Sequence, residues 1–207
     1  MSQYRAYFVP NWMDPSGLAF VSVGMLSADC ELFREASTNR CYKKCLIKDQ
    51  FGGYLRTMIA CGLPRDDTKW DDPGDVLGHN CYNYACDIFD SNNTDGWDYE
   101  HPGGNLPDPS EVNCPGITAR AKADGMQDTD ANGSCPCRTH KVFLVVAAND
   151  DYHWYREDSD GKWSHKRGGS AISDVDASGN IITDPSTADH KYRWITYKNC
   201  GYLCAPN

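Results

Sequence analysis

The sequence has no apolar run approaching the roughly 18 residues that a membrane-crossing helix needs, so no membrane span is expected. It also lacks an excess of positive charge. Against 29 Asp and Glu stand 20 Lys and Arg, a formal net charge of −9. Bulk electrostatics does not draw so acidic a chain to nucleic acid, and no nucleic-acid partner is expected. A nuclease would need a local basic groove, for which Lys141, Arg156, Lys162, Lys166 and Arg167 are the available residues. The opening MSQYRAYFVPNW has no basic segment followed by an apolar one, and it does not read as a secretory leader. Cysteine, by contrast, is plentiful: 11 in 207 residues. That usage implies an oxidising compartment. The odd count leaves one thiol over after all pairs are made. Cysteine richness without a leader predicts a piece of a longer exported protein, extracellular or delivered by secretion.

The chain is long enough for one domain with a real core. Residues 26–61 read as helical: Leu26, Cys30 and Phe33 keep helical spacing, and Tyr54, Leu55, Met58 and Ile59 form a second stripe. Cys30, Cys41, Cys45 and Cys61 are expected to bridge within this region. At residues 78–89, Tyr82, Ala85, Cys86 and Phe89 mark one face of a further helix, with Cys81 in its first turn. Residues 91–134 are crowded with Gly, Pro, Asn and Asp and read as a long loop, pinned by Cys114, Cys135 and Cys137. The strongest β signal comes next, in HKVFLVVAA (140–148), YHWYR (152–156) and KWSHK (162–166), with a last strand at 191–197 and Cys200 and Cys204 in the tail. Helices succeeded by a meander predict an α+β, disulfide-rich fold, with N-terminal helices packed on a C-terminal antiparallel sheet.

The head of the chain carries Tyr7-Phe8-Val9-Pro10 and then Asp14-Pro15-Ser16-Gly17-Leu18. This stretch resembles the DPxGL boundary that closes the core of Rhs/YD-repeat proteins. The resemblance makes residues 1–18 a boundary remnant and implies an Rhs-type shell as a partner in a parent protein. It makes the chain from Ala19 onward a variable domain, often a toxin, with an immunity protein as a further partner.

Cys81 carries the chemical hypothesis. Unpaired backbone N–H groups at a helix start favour a thiolate. The order NCYNYAC, then THKVFLVV, resembles papain-like cysteine hydrolases of the CHAP type, in which the nucleophile opens a core helix and the base opens the next long strand. That resemblance implies residues 78–207 as the catalytic region beside a bridged helical region at 19–77. It nominates Cys81 as nucleophile, His140 as base and Asn80 with the Cys81 amide as oxyanion donors. A turn near Asn149 and Asp150 places Glu157 close to His140, as the group that orients it. His153 is a rival base, flanked by Trp154 and Tyr155 as a substrate groove, and His165 is a third, beside Trp163. The expected reaction is hydrolysis or transfer at an amide of a protein or peptidoglycan, with no cofactor required.

Two metal readings compete. Asp128, Asp130 and Asn132, with Gly133, match the first half of a calcium loop, although Thr139 stands where its bidentate Glu belongs. Asp174, Asp176, Ser178 and Gly179 repeat the half-pattern. Cys135, Cys137, Cys200 and Cys204 can be drawn together as a zinc site, although Cys-Pro-Cys is tight for one. The alternative to an enzyme is a disulfide-rich, calcium-binding cell-surface module for glycan or protein, with exposed aromatics as its contact surface.

Overall fold

The computed structural model describes residues 62–207, apart from 95, 97 and 98, and five strands between residues 12 and 60. The chain divides into two compact units, residues 1–61 and 62–207.

In the first unit, β1 (Trp12–Met13), β2 (Ala19–Met25), β3 (Cys30–Glu35), β4 (Cys41–Lys48) and β5 (Tyr54–Ala60) pair in chain order as an antiparallel meander. The helical expectation for 26–61 is therefore corrected. A spacing of four residues puts two side chains on one face of a strand as well as of a helix, so the Cys41 and Cys45 pair fits both periods. Register places Cys30 opposite Cys45 and Phe33 opposite Tyr42. Apart from β1, the head with its DPSGL sequence lies outside the described residues, as do the side chains of the cysteines in this unit.

The second unit is α+β. Its helices are α1 (Asp67–Trp70), α2 (Cys81–Cys86) and α3 (Cys114–Ala123). Its strands are β6 (Gln127–Asp128), β7 (Thr139–Ala147), β8 (Asp151–Glu157), β9 (Trp163–Lys166), β10 (Ile172–Ser173), β11 (Lys191–Tyr192), β12 (Ile195–Thr196) and β13 (Lys198–Pro206). Six of them form an antiparallel sheet in the order β10-β9-β8-β7-β13-β6, and β11 with β12 makes a separate hairpin. The run VFLVVA in β7 is buried throughout because both faces of this central strand are covered. Even-numbered residues face the helices: Val142, Leu144, Val146 and Trp154 pack with Tyr82, Ala85, Ile117 and Ala121. Odd-numbered Phe143, Val145 and Tyr155 pack with Trp163 and Ile182 on the other face.

Helix α3 lies where the sequence reads as a loop. Its start is built by Asn113, whose side chain accepts from the Gly116 amide, and by Pro115 in the first turn. Only Ile117 and Ala121 of this helix are buried, too few to make a stripe. The expected strand at 191–197 is instead the short β11–β12 hairpin. The long last strand is β13, which covers β7 over eight register pairs.

Disulfides Cys114–Cys200 and Cys135–Cys204 tie α3 and the 129–138 loop to β13, and Cys137 is disulfide-bonded as well. The zinc reading is corrected by the same fact, since a sulfur spent in a disulfide is no thiolate ligand. The Cys135–Cys204 bridge spans 69 residues, for which loop entropy gives roughly 4 kcal/mol. A Cys135→Ser, Cys204→Ser variant is expected to melt roughly 10 °C lower in calorimetry.

Candidate functional site

Asn80 caps α2. Its Oδ1 accepts from the amides of Tyr82 and Asn83, and Asn83 Oδ1 accepts from the Asn80 amide. The segment before it is fixed by Lys166, buried on β9. Its ammonium donates to the carbonyls of Val76, His79 and Gly168 at 2.6, 2.8 and 2.8 Å, and burial pushes its pKa down to about 8. The Asn93 carbonyl lies where a Cβ on Gly78 would stand, so this position accepts glycine alone.

Cys81 therefore opens the helix as the sequence suggests. Its thiol, however, faces inward. The residue is 7% exposed, packs with Tyr152 and Trp154, and its Sγ donates to the Tyr152 carbonyl at 3.9 Å. Burial, with the Asp151 charge in second place, pushes the thiol up to about 12. This is the opposite of an activated nucleophile.

The nominated bases do not reach it. His140 lies on the helix-facing side of the sheet but at the far end of α2. Its Nε2 meets the Ala85 carbonyl at 2.5 Å and its Nδ1 the Asn207 side-chain oxygen at 2.7 Å. Six residues of strand, roughly 20 Å, separate it from Val146, the register partner of Tyr152. His153 pairs with Val145 and so projects from the opposite face of β8. There its Nε2 meets His165 Nδ1 at 2.7 Å, and His165 Nε2 donates to the Val175 carbonyl at 3.0 Å. Glu157 ends β8 opposite Trp163. The β7–β8 turn centres on Asn149 (φ +61°), and continuing its register puts Asp158 opposite His140. Asp158 is bound to Arg156 and Ser164, so neither carboxylate orients the histidine. The Asn80 side-chain Nδ2 donates to the Glu100 carbonyl at 2.8 Å, which fixes the residue as a cap and not as an oxyanion donor.

The proposed substrate groove is corrected too. Trp154, Tyr155, Trp163 and His165 are all buried core residues of β8 and β9. The calcium residues do not converge. Asp128 pairs with Lys122 at 2.6 Å, Asp130 Oδ1 accepts from the amides of Asn132 and Gly133, and Asn132 is exposed. Asp176 likewise organises its own loop through the Ser178 and Asn180 amides. Among the described residues no three His, Cys, Asp or Glu side chains gather as a metal site.

An open cleft of about 990 Å³ lies at the start of β8. Tyr152 and His153 reach it from the two faces of the strand, and Cys81 closes part of its floor. Tyr99, His101, Tyr192 and Tyr197 supply aromatic walls. His101 Nδ1 meets the Tyr152 hydroxyl at 2.6 Å, and the Tyr197 hydroxyl donates to Asp151 at 2.5 Å. These hydrogen bonds hold the ring planes in place, which suits a site that binds by shape and stacking. Sequence reasoning gave His101, Tyr192 and Tyr197 no role. The interleaving of basic and aromatic residues in KYRWITYK was the one local signal.

Insoluble matrix shell protein 1 of Ruditapes philippinarum is 36% identical to the chain over 115 residues, which is 54% of this chain and 70% of that protein. The chain belongs to the family of that protein. No protein-family model matches the chain, and no solved structure does. Membership in this family and the disulfides are consistent with an extracellular protein. Among the described residues no helix is long and apolar enough to cross a membrane.

Proposed function

We propose that the chain is a non-catalytic component of an extracellular matrix, a disulfide-stapled module that holds a stretch of matrix polymer in the cleft at the start of β8. The observation that carries this reading is the state of Cys81: a buried thiol on a backbone carbonyl, within an aromatic cleft, with its pKa raised by burial. Such a wall binds and does not attack. The matrix setting is taken from the relative's name and is part of the proposal.

Cosedimentation with chitin, cellulose, heparin–agarose and gelatin–agarose tests it. Retention on at least one polymer is expected, weakened about tenfold or more by Tyr197→Ala, with no release of product over days. Failure to bind any polymer, or steady release of product, would overturn it.

A cysteine amide hydrolase is the second reading. One observation favours it: Cys81, one of two free thiols among the described cysteines with Cys86, lines the same cleft as His101 and His153. In that reading the DPSGL head joins the domain to an Rhs-type shell, and product release is abolished by Cys81→Ser.

A further inference from the structure

The cleft has a charged rim that the net charge of the chain conceals. Arg167, Lys191 and Arg193 all line it and are all exposed. The described ion pairs include none of the three. The Arg167 guanidinium lies over the Tyr192 ring at 4.6 Å, so a cation and an aromatic face are presented together. The facing carboxylates are Asp150 and Asp151. Asp151 is already engaged by the Tyr152 amide and the Tyr197 hydroxyl. Behind Tyr192, Asp176 and Asp189 are occupied by backbone amides and Ser178.

The hairpin that supplies two of these cations is built at a cost. Arg193 sits at its tip with φ +57°, a region that favours glycine or asparagine. The next residue, Trp194, is 81% exposed, with the Arg193 guanidinium 5.8 Å from its ring. A strained arginine beside a solvent-facing tryptophan is poor design for stability. It fits a contact surface, where such strain is retained for what it presents.

We propose that Arg167, with Lys191 and Arg193 of the β11–β12 hairpin, makes the cleft a site for an anionic glycan, a sulfated or carboxylated polysaccharide, and that Trp194, at the hairpin tip outside the cleft lining, extends the contact. This rests on the reading of the cleft as a polymer site. Aromatic faces stack on the apolar faces of sugar rings, and the three rim cations donate charge-assisted hydrogen bonds to sulfate or carboxylate groups. Neutral glycans use the first contact and not the second.

Calorimetric titration with a heparin hexasaccharide, a chitin hexasaccharide and a dT oligonucleotide of matched charge tests the proposal. Tighter binding of the heparin fragment than of both others is expected, weakening about tenfold or more from 50 to 300 mM salt. Arg167→Gln and Lys191→Gln are each expected to weaken it about tenfold, and Trp194→Ala to weaken all glycans. Arg193→Gly is the discriminating variant: it relieves the backbone and raises the Tm by a degree or two, yet weakens binding about tenfold. Chitin-fragment binding as tight as heparin, with no effect of the charge substitutions, overturns the anionic assignment and leaves the polymer site standing. Oligonucleotide binding as tight as heparin also overturns it. No binding of any glycan overturns both.

Discussion

Lowering the pH from about 6.5 to about 4 is expected to destabilise residues 62–207 strongly. His153 and His165 are buried and bonded to each other at 2.7 Å. The second ring nitrogen of His165 donates to a carbonyl, so its Nδ1 has to accept from His153. His165 is then neutral, burial keeps His153 neutral as well, and a proton added to His165 sets two donors against each other. Burial, the dominant cause in both, pushes His165 down to about 4 and His153 well below its ordinary value. Each folded-state pKa is depressed below the unfolded value of about 6.5. The unfolded chain therefore binds more protons in that window, and stability falls as pH falls. It is complete above about pH 6.5. By pH 4 the His165 shift alone removes about 3 kcal/mol, and His153 removes more in the same direction. That is a large share of a typical domain stability of about 5–15 kcal/mol. Urea midpoints measured from pH 7.5 to 4 should fall steeply below pH 6, and His153→Phe with His165→Phe should make the fall shallower, leaving the part that His140, His101 and His190 contribute through burial. An unchanged midpoint down to pH 4 would refute the neutral pair.

The second large effect concerns Arg156. Its guanidinium is fully buried on the helix-facing side of β8. It donates to Asp158 Oδ1 from Nε and Nη2 at 3.0 and 2.9 Å, and to the Tyr84 carbonyl at 3.1 Å. It also lies 3.9 Å from the centre of the Tyr84 ring. The circuit closes through the Tyr84 hydroxyl, which accepts from Arg156 and donates to Ser164, and through Ser164, which donates to Asp158. Every buried charge here has its partner, so removing one member strands the rest. Asp158→Ala is expected to cost about 3 kcal/mol, because a desolvated guanidinium loses its near carboxylate and keeps only Asp87, at 3.9 Å. Replacing both partners, as Arg156→Met with Asp158→Leu, should recover most of that loss in urea unfolding. Losses that simply add in the double variant would show that the circuit is not coupled. Since Arg156 holds Tyr84, the single variants should also loosen α2 and weaken polymer retention.

The β7, β8 and β9 strands were legible because their apolar runs and turn residues agree, and α2 was legible from the spacing of Tyr82, Ala85 and Cys86. Residues 26–61 were not, because a four-residue spacing satisfies both a helix and a strand. α3 hid behind a weak apolar face and was marked only by Asn113 and Pro115. β13 is a sheet strand with Cys, Gly and Asn in it, held by its disulfides and its register with β7 more than by its own propensity. At the site, the helix start at Cys81 was readable and the pairing was not. Strand alternation sends His153 to the far face, and the length of β7 carries His140 to the wrong end of α2. The Arg156–Asp158 circuit was hidden because a charged pair two residues apart on a strand reads as solvent-facing until the strand is known to be covered.

The central claim is that the cleft holds and does not cut. Native protein treated with iodoacetamide at pH 7, quenched over hours and mapped by peptide mass, measures it at Cys81. The account predicts that Cys81 stays unmodified while folded and is alkylated at the ordinary thiol rate once the protein is unfolded in urea. Rapid alkylation of Cys81 in the native protein at neutral pH, faster than a free thiol, would contradict it and make the cleft an active site.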